Sequence, residues 1–166
     1  MPRWQPEEVV TQSVIERLID HDPKAGADAP PTRNQSLRLL KASLRRDLEW
    51  LLNTRRTPEP AGSEYAELEN SLFNYGVPDV STLSWESHTD RARLARVLEQ
   101  ALLRFEPRID HVKVTPLDAG QGLKHVLRFQ IEGLLLIDPA PEVISFDTTL
   151  QLSSGEYQVK GEPSAG

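Results

Sequence analysis

Leu37, Leu40, Leu44, Leu48 and Leu51 recur at three- and four-residue spacing and predict one long amphipathic helix. Leu39, Trp50 and Leu52 widen its apolar stripe, while Arg38, Lys41 and Arg45 line another face. A stripe this wide either buries against the rest of the chain or receives a partner helix. The run "NTRRTPEPAGS" ends it. A second, cleaner stripe of Leu94, Val97, Leu98, Ala101, Leu102 and Phe105 predicts a helix capped by Thr89 or Asp90. Pro107 stops that helix near Phe105, because proline lacks the N–H and excludes the preceding residue from helical geometry.

Behind Pro107 the hydrophobic period falls from 3.6 residues to 2. Val112 and Val114 alternate with Lys113, and "DAGQG" turns the chain. Leu127, Phe129 and Ile131 alternate with Arg128, Gln130 and Glu132; "DPAPE" turns it again. Ile144, Phe146, Thr148, Leu150 and Leu152 then form the apolar side of a third strand. Pairing Ile137 with Ile144 sets Leu135 beside Phe146, Ile131 beside Leu150 and Phe129 beside Leu152, which keeps one apolar face continuous. "SSGEYQV" permits a short fourth strand. The expected class is α+β, with N-terminal helices packed on one face of a C-terminal three- to four-stranded antiparallel meander.

Two shorter helices complete the pattern. Ser13, three residues before Glu16 in "SVIERLID", opens a short amphipathic helix that stops before Pro23, and residues 22–35 read as a linker. "SEYAELENSLFNYGVPD" predicts a helix capped at Ser63 and closed by Gly76. Residues 1–10 are expected to be flexible, 11–160 to form a single domain and 161–166 to be a disordered tail.

Composition narrows the function. The chain has no cysteine, which excludes disulfide frameworks and cysteine-ligated metals. No apolar run approaches the roughly 18 residues of a membrane span, and the N-terminus lacks a signal pattern, so a cytoplasmic location is expected. A net charge of −6 disfavours nucleic acid as the main ligand. That total hides blocks of opposite sign. Residues 33–56 carry seven Lys/Arg against two acids, 57–90 seven acids and no Lys or Arg, and 91–108 five arginines against two glutamates. Arginine outnumbers lysine fourteen to five, and its planar fork suits partly buried protein contacts. Such blocks act either as solvated faces or as surfaces that orient partners.

Catalytic chemistry finds little support. There is no G-x-S-x-G elbow, and Gly120 and Gly122 sit where a hairpin turn suffices. His21, His88, His111 and His125 form no ligand-spaced pair; the strand pattern puts His111 on the polar face and His125 on the apolar one. No metal or other cofactor is expected. Glycoside hydrolysis needs an acid of raised pKa facing a second carboxylate about 5–10 Å away. Glu106, Asp110 and Glu132 are the acids to consider, but arginines at 104 and 108 would lower the Glu106 pKa rather than raise it. The chain is therefore not expected to be an enzyme.

Four stretches, "SVIERL" (13–18), "LEWLLNTRR" (48–56), "SLFNYGVPD" (71–79) and "FEPRI" (105–109), appear in the order seen in a known family. With them the chain resembles TssE, the baseplate subunits of the bacterial type VI secretion system. These are similar to phage baseplate wedge proteins and carry the legacy label "gene-25-like lysozyme". The resemblance implies a non-enzymatic subunit of a membrane-docked baseplate that joins TssF and TssG. It also implies a role in starting polymerisation of the contractile TssB–TssC sheath through the C-terminal strands. Its interaction residues carry over onto Glu106, Pro107 and Arg108, with Arg55, Arg56, Asn74, Tyr75, Gly76, Leu44 and Leu48 beside them. Glu106 and Arg108 either contact partners from a rigid corner or brace the helix–strand junction internally. A peptidoglycan hydrolase and a small anti-adaptor of regulated proteolysis are the competing functions.

Overall fold

The computed structural model describes residues 10–19, 31–59, 65–69, 71–80, 87–117 and 126–161. Among these residues four helices come first: α1 (Val14–Leu18), α2 (Arg33–Asn53), α3 (Ala66–Glu69) and α4 (His88–Phe105), with a 3-10 turn at Leu72–Asn74 before α4. Four strands follow, β1 (Ile109–Leu117), β2 (Val126–Leu135), β3 (Glu142–Gln151) and β4 (Glu156–Lys160). They form one antiparallel sheet in the order β1-β2-β3-β4, an uninterrupted meander. The architecture is the expected α+β one.

Both predicted leucine stripes point inward. Leu44, Leu48, Leu94, Leu98 and Leu102 have no exposed surface and meet Phe129, Ile131, Ile144, Phe146 and Leu150 from the sheet. Burial of such side chains, at about 1.5–3 kcal/mol each, is the main force joining the layers. Burial alternates along β2 and β3: Leu127, Phe129, Ile131 and Leu135 of β2 and Ile144, Phe146 and Leu150 of β3 are buried, while the residues next to them in the strands are half-buried or exposed.

The β2–β3 register differs from expectation by four residues. Ile144 pairs with Gly133, Phe146 with Ile131 and Leu150 with Leu127. The expected register required a two-residue turn of Ala140 and Pro141; such turns need a positive φ at the first residue, which alanine resists, and in type I′ also at the second, which proline cannot adopt. The chain instead spends residues 136–141 on the connection, and an even slip leaves the same side chains on the apolar face.

Three helix boundaries are also corrected. α4 is capped by Ser87, whose Oγ accepts from the Asp90 amide at 3.2 Å, and not by Thr89 or Asp90. α2 begins inside the predicted linker, held by a Thr32–Gln35 capping box. The predicted 63–76 helix is two pieces, because Ser71 starts a separate 3-10 turn that ends at Tyr75. Gly76 follows the cap residue Tyr75 and so closes this short turn instead of one long helix. It has φ 103°, and a Cβ there would overlap the Thr54 carbonyl. Ser63, His21, His125 and the "DAGQG" turn lie outside the described residues. His111 is exposed with φ 51°, where the β1–β2 register shifts.

The sheet edges are occupied by helix side chains. Asn53 of α2 accepts from the Tyr157 amide and donates to its carbonyl, both at 2.8 Å. Glu49, one turn earlier, accepts from the Val159 amide at 3.2 Å, and Arg45 reaches the Val159 carbonyl at 3.5 Å. On the opposite edge, Glu99 of α4 accepts from the Val114 amide at 3.2 Å. Side chains at i, i+4 and i+8 of a helix thus stand in for a fifth strand, which blunts the edge against uncontrolled pairing.

Tyr157 is buried, its hydroxyl has no hydrogen-bond partner among the described residues, and burial pushes its pKa up. An unfolded tyrosine ionises near 10, so stability is intact below that pH and falls as pH rises beyond it, where only the unfolded chain ionises freely. Tyr157→Phe is expected to leave the urea midpoint at neutral pH unchanged or raised, and to lessen the alkaline loss. A drop of more than about 1 kcal/mol at neutral pH would show that the hydroxyl is bonded.

Candidate functional site

The corner between α4 and β1 is built by three consecutive residues. The Glu106 amide makes the last helical bond, to Leu102 O at 2.9 Å, and Pro107 then prevents another turn. The Ile109 amide bonds back to Glu106 O at 3.2 Å, and Leu136 N donates to Arg108 O at 2.8 Å, which ties the corner to the end of β2. Gly133 opposite leaves room for this approach, since a Cβ there would overlap the Ile109 side chain.

Two residues apart on a tight turn, Arg108 folds back over Glu106. Its Nε donates to Glu106 Oε1 at 2.7 Å and its Nη2 to Oε2 at 2.6 Å, and the Arg108 amide adds 3.2 Å to Oε1. This is the side-on bidentate geometry that makes arginine–carboxylate pairs strong. The Glu106 side chain is only 7% exposed, so its charge depends on that pairing. Arg108 Nη2 also donates to Asp47 Oδ2 of α2 at 2.7 Å, and Nη1 faces Ser43 Oγ at 3.5 Å. The bonds to Glu106 raise the Arg108 pKa above its ordinary value against the opposing effect of burial, with Asp47 adding to them.

The network continues outward along α2. Arg46 donates to Asp47 Oδ1 at 3.2 Å, pairs with Glu16 of α1 at 2.7 Å and lies 5.0 Å over the Trp50 ring. Four charged residues in series, Glu106, Arg108, Asp47 and Arg46, thus link the corner to α2, and Glu16 attaches α1. Short α1 turns its polar residue in: Glu16 is 9% exposed, while Val14, Ile15 and Leu18 are 69%, 63% and 78% exposed. The expected amphipathic helix is present with its faces reversed, because the inward position is an ion-pair position. On the other side of the corner, Tyr75 meets Phe105 edge to face at 5.3 Å. Burial, and then the negative charges of Asp47 and Glu106, push the Tyr75 pKa up.

The other sequence-named residues are dispersed. Leu44 and Leu48 are fully enclosed in the core, so the leucine stripe is internal packing and offers no surface to a partner. Asn74 is buried and ties its turn to Leu68 O at 2.9 Å. Arg55 is exposed and pairs with Asp79 at 3.4 Å. Arg55 and Val77 form a short parallel bridge, with Arg56 N to Val77 O at 3.0 Å and Val77 N to Thr54 O at 2.8 Å. Glu106 and Arg108 brace the junction internally. Yet Arg108, one-quarter exposed, also lines a groove of about 850 Å³ with Leu40, Leu135, Ile137 and Pro139.

Asp47 and Glu16 escaped sequence reasoning. Asp47 is one of only two acids among the seven cations of residues 33–56, and that imbalance was the one available signal. Among the described residues no acid and histidine cluster could hold a metal, and no helix is long and apolar enough to cross a membrane.

Arg108→Ala is expected to destabilise the fold by about 3 kcal/mol, since it strands the enclosed Glu106 charge. Asp47→Ala should cost about 1 kcal/mol, because Arg108 keeps its closer partner and Asp47 is partly exposed. Urea unfolding of both variants checks the order; an equal or reversed order would refute the assignment of Glu106 as the dependent charge.

No curated protein matches the chain. A chain in the solved structure described as "The baseplate complex from the type VI secretion system" is 24% identical, with a TM-score of 0.48, covering 69% of this chain and 96% of that one. The family model "Baseplate wedge protein gp25" matches residues 38–140, a span from the second turn of α2 through the corner to the β2–β3 connection. With more than half of its length matched, the chain belongs to the gp25 baseplate wedge family, whose members are structural proteins and not enzymes.

Proposed function

We propose that the chain is a TssE-type subunit of a type VI secretion baseplate, which docks on TssF and TssG and helps start the TssB–TssC sheath. Membership of the wedge family and the four ordered sequence stretches support this reading. The observation that carries it is the position of Arg108. The clamp engages Nε and Nη2 at short range, whereas Nη1 has only a 3.5 Å contact to Ser43 and the residue borders a groove. A guanidinium preorganised on one edge and open on the other suits a carboxylate or carbonyl from a partner.

The sheath role needs a further step. Strand addition at β4 would have to replace the bonds that Asn53, Glu49 and Arg45 make to its outer backbone. The hydrolase alternative is disfavoured by the clamp, since both Glu106 oxygens already accept from Arg108.

Arg108→Lys tests the docking role, because lysine keeps the charge and one contact to Glu106 but loses the fork. The variant is expected to unfold cooperatively within a few degrees of the wild type and to lose at least tenfold in co-purification with TssF- and TssG-type proteins. Undiminished co-purification would remove the corner from the assembly.

A further inference from the structure

A second charged feature lies away from the corner. Arg93, Arg96, Gln100 and Arg104 recur at three- and four-residue spacing on α4 and are exposed, while Leu94, Leu98 and Leu102 of the same helix face the core. Together with Arg56 these residues line a cavity of about 330 Å³, whose floor includes Val97, Phe105 and Pro78. The Arg55–Val77 bridge, with its bond from Arg56 N to Val77 O, fixes the opposite wall. Four guanidiniums therefore converge on one partly apolar groove.

None of the four forms an ion pair among the described residues. Of the acids on the adjoining segments, Asp79 pairs with Arg55, Glu99 accepts from the Val114 amide and Glu106 is held by Arg108. Moreover Arg56 Nε is closed off from solvent with no hydrogen-bond partner among the described residues. A buried cationic N–H without an acceptor is costly, and like charges lining one groove raise that cost. An occupant that brings carboxylates relieves both.

We infer that this groove receives an acidic, partly apolar peptide segment of another wedge protein. The inference rests on the proposed baseplate role and adds a docking site distinct from Arg108. The chemistry favours peptide over nucleic acid. The apolar floor matches side chains between carboxylates, the cavity is the size of a few side chains, and the chain as a whole carries −6.

The test uses fluorescence anisotropy with a labelled peptide of alternating Glu and Leu residues and a labelled oligothymidine of equal charge. Wild-type protein is compared with the double variant R96E/R104E and with Arg38→Glu, an exposed charge reversal on α2 outside the groove. Thermal unfolding of each variant keeps folding defects apart from binding defects. Peptide binding should be equal in wild type and Arg38→Glu, at least tenfold weaker in R96E/R104E, and weaker as salt rises. Equal peptide binding by R96E/R104E, or tighter binding of the oligothymidine, would overturn the inference. Co-purification of the same variants with TssF- and TssG-type proteins separates the two readings. Loss with R96E/R104E supports the groove as a wedge contact. Peptide binding by a wild type that co-purifies with neither protein would overturn the baseplate reading, and with it the wedge occupant.

Discussion

One guanidinium between two carboxylates holds the corner of this molecule. Arg108 lies on the first turn after α4, pairs side-on with Glu106 at its end and reaches Asp47 in the middle of α2. Without those bonds Glu106 would be an enclosed, uncompensated charge at the point where helix gives way to sheet. Hydrophobic burial supplies most of the energy joining the layers, but it is non-directional. The clamp adds direction, because the bidentate pair with Glu106 fixes the Arg108 fork at the corner and its bond to Asp47 then sets where α2 meets it.

Much of this was readable from residue pattern. Period and proline position gave the long helices and the meander, since burial on one face writes itself into side-chain spacing. The β2–β3 register was misplaced because alternation is indifferent to an even slip, and only the turn chemistry of Ala140 and Pro141 decides it. "FEPRI" marked the corner, but Asp47 lies 61 residues from Arg108 and no local pattern joins them. The reversed α1 was unreadable for a similar reason: Glu16 turns inward only because Arg46 waits there.

The same economy governs the edges. A four-stranded meander leaves two open edges, and here α2 and α4 meet them with Asn53, Glu49 and Glu99. Polar helix side chains stand in for a strand there, so the arrangement blunts both edges against uncontrolled pairing. Helix α2 therefore serves core, clamp and edge from three of its faces, and changes on one face are felt on the others.

Coupling between Asp47 and Arg108 tests the clamp most directly. A double-mutant cycle of Asp47→Ala and Arg108→Ala, read by urea unfolding, isolates the bond that joins α2 to the corner. The account predicts non-additive losses, with an interaction energy of about 1 kcal/mol or more. Losses that add within about 0.3 kcal/mol would contradict it, leaving Asp47 with no part in joining α2 to the corner.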